Sequence, residues 1–197
     1  MRDRSIKMKS PVLENNRHQI ESLLRSTGRE GVEDVIRYLS DNDFYSMPSS
    51  LSRHHNWEGG LAQHVIGVYD RLSSTGKNLP TESVIITSLL HDICKIRKLY
   101  KNDKGDWTER PEKDLHIKGH GRRSVRILEN LGLRLTPQEK GAIRWHMGGW
   151  KIGERSKDEI RDFYANKKNE LWRLLMNADR YDAAKSRSLY KKDKEKE

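Results

Sequence analysis

Six side chains of metal-binding type occur where apolar segments should bury them: His64, His91, Asp92, His120, His146 and Asp179. The most telling pair is His91-Asp92, which closes the run Val84-Ile85-Ile86-Thr87-Ser88-Leu89-Leu90. A buried ionised carboxylate is costly unless it is paired or bound to a metal. Neutral imidazoles with carboxylates suit Mn, Fe, Ni or Zn, whereas Mg prefers oxygen ligands. Such a centre polarises a phosphoryl oxygen and lowers the pKa of a bound water, which is the chemistry of phosphate-ester cleavage. Taken singly, a His on an apolar face is ordinarily a hydrogen-bonded core residue, and a buried Asp a cap or ion-pair partner. Six such placements in one chain weaken that explanation. The single cysteine, Cys94, excludes an internal disulfide and any Cys-based zinc site.

The elements that must position these groups read as helices. His64 lies three residues after Leu61, with Val65 and Val68 on the same stripe. His91 shares a face with Val84 and Ser88; His146 follows Ala142 and Ile143; Asp179 follows Trp172, Leu175 and Met176. His120 precedes Val125, Ile127 and Leu128, and its face is less clear. The periodicity predicts helices over 15–27, 30–40, 60–73 and 80–95, with Pro80 in the first turn of the last. Further helices are expected over 118–132, 137–148 and 168–186, with capping boxes at Thr136/Glu139 and Ser156/Glu159. A short hairpin is expected over 97–110, around Asn102-Asp103-Lys104-Gly105. The expected fold is therefore all-α, a helical bundle with a small β-hairpin insertion. Residues 1–45 read as an N-terminal helical extension headed by a basic arm, 46–186 as the functional domain, and 187–197 as a charged, fraying tail.

The chain has 197 residues, the size of one domain, with 34% hydrophobic and 35% charged residues, so its core is modest. A net charge of +10 favours anionic partners such as nucleotides, nucleic acid or acidic proteins, or else serves solubility. No apolar stretch approaches the ~20 residues that span a bilayer. The stretch Met1 to Ser10 is basic without an apolar core. The expected location is the cytoplasm, with no membrane partner.

The order His64 … His91-Asp92 … Asp179 resembles the HD superfamily of metal-dependent phosphohydrolases. The intervening His120 and His146 resemble its branch with extra histidines. The strings His54-His55-Asn56-Trp57-Glu58-Gly59-Gly60-Leu61-Ala62-Gln63-His64 and Ser88-Leu89-Leu90-His91-Asp92-Ile93-Cys94-Lys95 are similar to the phosphodiesterase domain of bacterial HD-type 3′–5′ exoribonucleases. So are Gly119-His120, Trp145-His146-Met147-Gly148 and Ala178-Asp179. The resemblance covers roughly residues 50–185. Met147 stands where such relatives often carry another His, and Cys94 where they usually carry Gly. No segment is strand-rich enough to encode the nucleic-acid-binding barrel of those exoribonucleases.

The resemblance implies one or two divalent ions (Mn, Fe, Ni, Co, Mg or Zn). His64, His91, Asp92 and Asp179 would hold the first, and Asp92 would bridge to a second held by His120 and His146. It implies Lys95 on the scissile phosphate, and His55 or its neighbour His54 on the substrate side. Gly59-Gly60 would form the tight turn into the first ligand helix or bring backbone close to substrate. Arg122 and Arg123 are candidates to offset phosphate charge or to face solvent. Trp107, and the pair Trp145 and Trp150, are candidates to stack on a base or to pack in the core. The expected activity is hydrolysis of a nucleotide phosphate mono- or diester. The alternatives are a nuclease for single-stranded RNA or DNA, and a non-catalytic metal-containing nucleotide sensor.

Overall fold

A computed structural model describes residues 10–115, 117, 119–149 and 152–194. Its centre is helix α4 (Thr81–Leu90), in which every residue from Ser83 to Leu90 is buried. A helix apolar all round must be wrapped by others. Two of its buried hydroxyls are satisfied within the helix, Thr87 donating to the Ser83 carbonyl (2.7 Å) and Ser88 to that of Val84 (2.6 Å). Helix α3 (Gly60–Thr75) packs on α4 through Leu61, Val65, Val68 and Leu72, and also lies along the long C-terminal helix α9 (Glu170–Lys194). Helices α6 (His120–Asn130), α7 (Pro137–Trp145) and α8 (Lys157–Asn166) complete the wrap, with α6 against α7, and α7 against α8 and α9. The predicted capping box opens α7, and Ser156 caps α8.

Helices α1 (Ser10–Ser26) and α2 (Val32–Asp41) belong to the same packing. Ile20, Leu24, Val35, Ile36 and Leu39 share one apolar cluster with Leu89, Leu90 and Ile93. The α1–α2 turn presses on the α6–α7 turn: Gly31 has φ +86°, and a Cβ there would meet the Gly132 backbone at 2.5 Å. Beside it, Arg29 grips the buried Glu139 (2.9 and 3.1 Å), whose carboxylate also accepts from Ser83 (2.7 Å).

Two expectations need correction. The helix predicted over 80–95 stops at Leu90. Beyond it the backbone N–H groups of Ile93, Lys95, Ile96 and Arg97 donate three residues back, which tightens His91–Cys94 into a turn before the short α5 (Lys95–Lys98). The charged stretch from 187 onward, expected to fray, continues α9 as helix through Lys194. The hairpin forms as expected: β1 (Leu99–Lys101) pairs antiparallel with β2 (Trp107–Glu109), Leu99 opposite Glu109. Its turn is held by Asn102 Oδ1, which accepts from the N–H groups of Lys104 and Asp106.

Candidate metal centre

The tightened turn after α4 lays the Asp92 carboxylate across a row of imidazoles. One oxygen, Oδ2, faces His64 Nε2 (3.8 Å) and His91 Nε2 (3.7 Å). The other, Oδ1, faces His146 Nε2 (3.4 Å) and accepts from His120 Nε2. Asp179, from α9, stands 3.3 Å from His64 Nε2. Two ligands each ~2.0–2.2 Å from one ion stand roughly 3–3.5 Å apart; the 3.3 and 3.4 Å spacings fall in that range and the 3.7 and 3.8 Å ones just above it. Among the described residues four groups could each hold an ion: His64/His91/Asp92, His91/His146/Asp179, Asp92/His120/His146 and, behind His64, His55/His64/Asp182.

Each buried imidazole is aimed by its second nitrogen. His91 Nδ1 donates to the Ser88 carbonyl (2.9 Å), and His146 Nδ1 to that of Ile143 (2.7 Å). His64 Nδ1 meets Asp182 Oδ2 at 2.7 Å. The Nε2 atoms of His64, His91 and His146 are left buried without a hydrogen-bond partner. Orphaned buried polar atoms are rare in folded proteins; three that converge on two carboxylates fit a metal ion and nothing apolar. The Nδ1 partners are the outer groups that hold metal-ligating histidines in one tautomer.

Electrostatics follow from burial and pairing. Burial favours the neutral form of Asp92, but Lys95, His91 and His120 hold it well below the usual carboxylate range. Lys95 Nζ lies 2.6 Å from Asp92 Oδ2 and donates to Ser49 Oγ (2.8 Å). Burial opposes charging of His64, yet the adjacent carboxylates of Asp179 and Asp182 lift it to about 9. Burial likewise opposes His120, and contacts with Cys94 and Asp92 raise it to about 10. Burial drives His91 down to about 4, leaving it neutral and ready to ligate.

The site opens into a cavity of about 670 Å³ lined by Asp92, Lys95, His120, His146 and Asp179, together with residues of the Ser49–His54 loop and of α9. The HD domain family matches residues 61–184, which is more than half of the chain. The chain belongs to the HD domain family. No curated protein and no solved structure matches it. HD domains are generally metal-dependent phosphohydrolases, and the His/Asp grouping found here fits metal binding.

Against this HD frame, all six expected ligands come together. Lys95 lies in the same cavity. Of the two loop histidines expected on the substrate side, one lies there and the other does not. His55 is buried against Asp182 (Nε2 to Oδ2, 2.7 Å), behind His64 and away from the cavity lining, whereas His54 lines the cavity. The cause is backbone geometry: His55 has φ +47°, its N–H donates to Ser186 Oγ and its carbonyl accepts from Ser49. Gly60 permits this, since a Cβ there would lie 2.1 Å from the His55 carbonyl oxygen. Sequence reasoning missed Asp182, which receives both His55 and His64; it lies one turn after Asp179, seven after Leu175 and four after Ala178, on the same stripe.

The remaining candidates divide. Arg123 is buried on the cavity wall, bonded to Glu112 and the Ile117 carbonyl, while Arg122 pairs with Glu159 outside the lining. Trp107 packs on the first apolar cluster and Trp145 in the second, so neither offers a face to the cavity. Trp150 lies outside the described residues. Cys94 Sγ is 3.1 Å from His120 Nδ1, in the position that carbonyls and Asp182 fill for the other histidines. No described helix is long and apolar enough to cross a membrane.

Proposed function

We propose that the protein is an HD-type phosphohydrolase that cleaves a phosphate mono- or diester of a nucleotide at one or two divalent ions held by His64, His91, Asp92, His120, His146 and Asp179. The observation that carries this reading is the set of three buried, unpartnered Nε2 atoms facing Asp92 and Asp179. The two oxygens of Asp92 face different histidine pairs, as a carboxylate bridging two ions would require. When bound, such ions supply a Lewis acid for the phosphoryl oxygen and a water of lowered pKa.

The chain's own groups do the rest. Lys95 presents a fixed positive charge beside Asp92 at the cavity floor, placed to offset charge developing on a phosphoryl oxygen. His54 overhangs the same floor, its ring 5.2 Å from that of His64. Burial, reinforced by the Lys95 charge, drives it down to about 3, so it stays neutral at pH 7 and is able to orient a water. His55 and Asp182 hold His64 from behind. The likeness to exoribonuclease HD domains suggests a nucleic-acid substrate as a second reading, favoured by the excess of basic over acidic side chains in the cavity lining.

The test is hydrolysis of p-nitrophenyl phosphate and bis-p-nitrophenyl phosphate by metal-stripped protein, with Mn, Ni, Co, Mg and Zn restored singly. Metal-dependent release that disappears in Asp92→Ala supports the proposal. Stoichiometric metal binding with no release of either ester would turn the reading toward a ligand sensor.

A further inference from the structure

A second cavity, of about 600 Å³, adjoins the metal cavity and shares one wall residue with it, Arg123. Its lining comes from the end of α2, from α5, from the stretch after β2 and from α6. None of the six expected metal ligands lines it. Its volume lies within the ~300–1,000 Å³ of small-molecule sites. Helices α5 and α6 serve both cavities: they present Lys95 and His120 to the metal cavity, and Arg97 and Arg126 to this one.

Four arginines line this cavity, Arg97, Arg110, Arg123 and Arg126, against one acid, Asp114. Arg97 Nε donates to the Tyr38 hydroxyl (3.0 Å), and the Arg110 guanidinium lies over the Tyr100 ring, 4.5 Å from its centre. Both partners are neutral. Arg97, Arg110 and Arg126 have no paired carboxylate among the described residues. Asp114 can balance one of these three, which leaves two positive charges open. Arg123 carries the signal further, because it is only 6% exposed. Its acidic partner, Glu112 (2.6 Å), lines the metal cavity. From the second cavity it meets only a carbonyl, that of Ile117 (2.9 Å). Its Nε is buried with no hydrogen-bond partner among the described residues, which is costly for a charged group.

The rest of the lining is apolar or amide. Ile96, Leu115 and Ile127 are buried and Ile117 half-buried. Asn42 spends its amide N–H on the Tyr38 carbonyl (2.8 Å), leaving its side-chain oxygen to accept, and the Asn130 side chain has no partner among the described residues. We propose that this cavity is a second ligand site, distinct from the metal centre, for a phosphate monoester on a flat body with a polar edge, the chemistry of a nucleoside monophosphate. A phosphate monoester carries about −1.5 to −2 charge at pH 7, which matches the two open positive charges. Arginine forks suit its oxygens bidentately. The isoleucines cover the flat faces, and the two asparagines meet the polar edge.

The experiment is calorimetric titration of the full chain, stripped of metal, with adenosine 5′-monophosphate, adenosine and inorganic phosphate. The monophosphate should bind about tenfold or more tightly than either fragment, since each fragment makes only part of the contacts. Arg97 and Arg126 are exposed, so their replacement leaves the fold intact. Arg97→Gln and Arg126→Gln should each weaken the monophosphate about tenfold, the worth of one charge-assisted hydrogen bond. Arg53→Gln, at a residue of the metal cavity alone, should leave its affinity within about twofold. No binding by wild type at millimolar monophosphate, or unchanged affinity in both Arg97→Gln and Arg126→Gln, would overturn the site. A loss in Arg53→Gln alone would move the ligand to the metal cavity and overturn it as well. Inorganic phosphate binding as tightly as the monophosphate would overturn the nucleotide assignment. Displacement of the monophosphate by lower concentrations of a glutamate decapeptide would do the same, giving the cavity to an acidic protein segment. No arm of the test uses turnover or metal, so its failure leaves the phosphohydrolase reading standing.

Discussion

Asp182 is not one of the six expected ligands, yet it should govern how tightly they hold an ion. Its Oδ2 lies 2.7 Å from both His64 Nδ1 and His55 Nε2. Asp182→Asn keeps the shape and removes the charge. A hydrogen bond to a charged group is worth about 1.5–3 kcal/mol and a neutral one about 0.5–1.5, so two weakened bonds cost about 2–3 kcal/mol of metal-free stability. Replacing an outer partner of a ligating His typically lowers metal affinity 10–100-fold, or about 1.4–2.7 kcal/mol. The assay is competition of the stripped protein with a chromogenic chelator for Mn or Zn, beside thermal melts followed by circular dichroism. The expected variant is folded, melts earlier and binds metal at least tenfold more weakly. Metal affinity within twofold of wild type would refute the idea that Asp182 orients His64.

The same outer contact can be disturbed from the opposite helix. Gly67 of α3 faces Asp182, and a Cβ there would lie 2.1 Å from its Oδ1; Gly67→Ala should weaken metal binding like Asp182→Asn, and should lower the melting temperature although Ala is the better helix former by about 1 kcal/mol. A Gly67→Ala protein that melts higher and keeps its metal would show the contact is slack. Lys95→Ala removes a cation 2.6 Å from Asp92; metal should bind as tightly or more so, while kcat falls about 10²-fold, and loss of metal instead would mean Lys95 holds the centre together. His64 and His120 are raised to about 9 and 10, above the unfolded value near 6.5. Their contribution to metal-free stability is therefore complete below about pH 6.5 and is lost as pH rises through 9 to 10. Metal must displace those protons, so affinity should climb over the same range, and calorimetry in buffers of different ionisation enthalpy should show proton release at pH 7; its absence would contradict the pairing.

Much of the centre was legible because helical periodicity placed its ligands among Leu61, Val65, Leu175 and Ile143, on faces that had to be buried. Asp182 was equally legible on that stripe but looked like surface charge between Tyr181 and Ala183, since nothing in a sequence shows that His64 needs a second partner. Which of His54 and His55 faces the cavity was not legible. It depends on a left-handed backbone at His55 and on a carbonyl pressed against Gly60, and neither leaves a periodic signal. The end of α4 at Leu90 was hidden for a related reason. No proline or glycine marks it, and the break is made by a change of hydrogen-bond step from four residues to three.

The clamp of Arg29 on Glu139, with Ile20 and Leu24 seated beside Leu89 and Ile93, bears on how this architecture can be handled. The recognisable family segment begins at Leu61, yet the helix that presents His91-Asp92 is covered in part by residues some forty to seventy positions earlier. A fragment trimmed to the family boundary would leave α4 bare on one flank and Glu139 buried without its guanidinium. The family segment is thus shorter than the portion that packs as one unit, and transplanting it into another scaffold requires the first two helices as well.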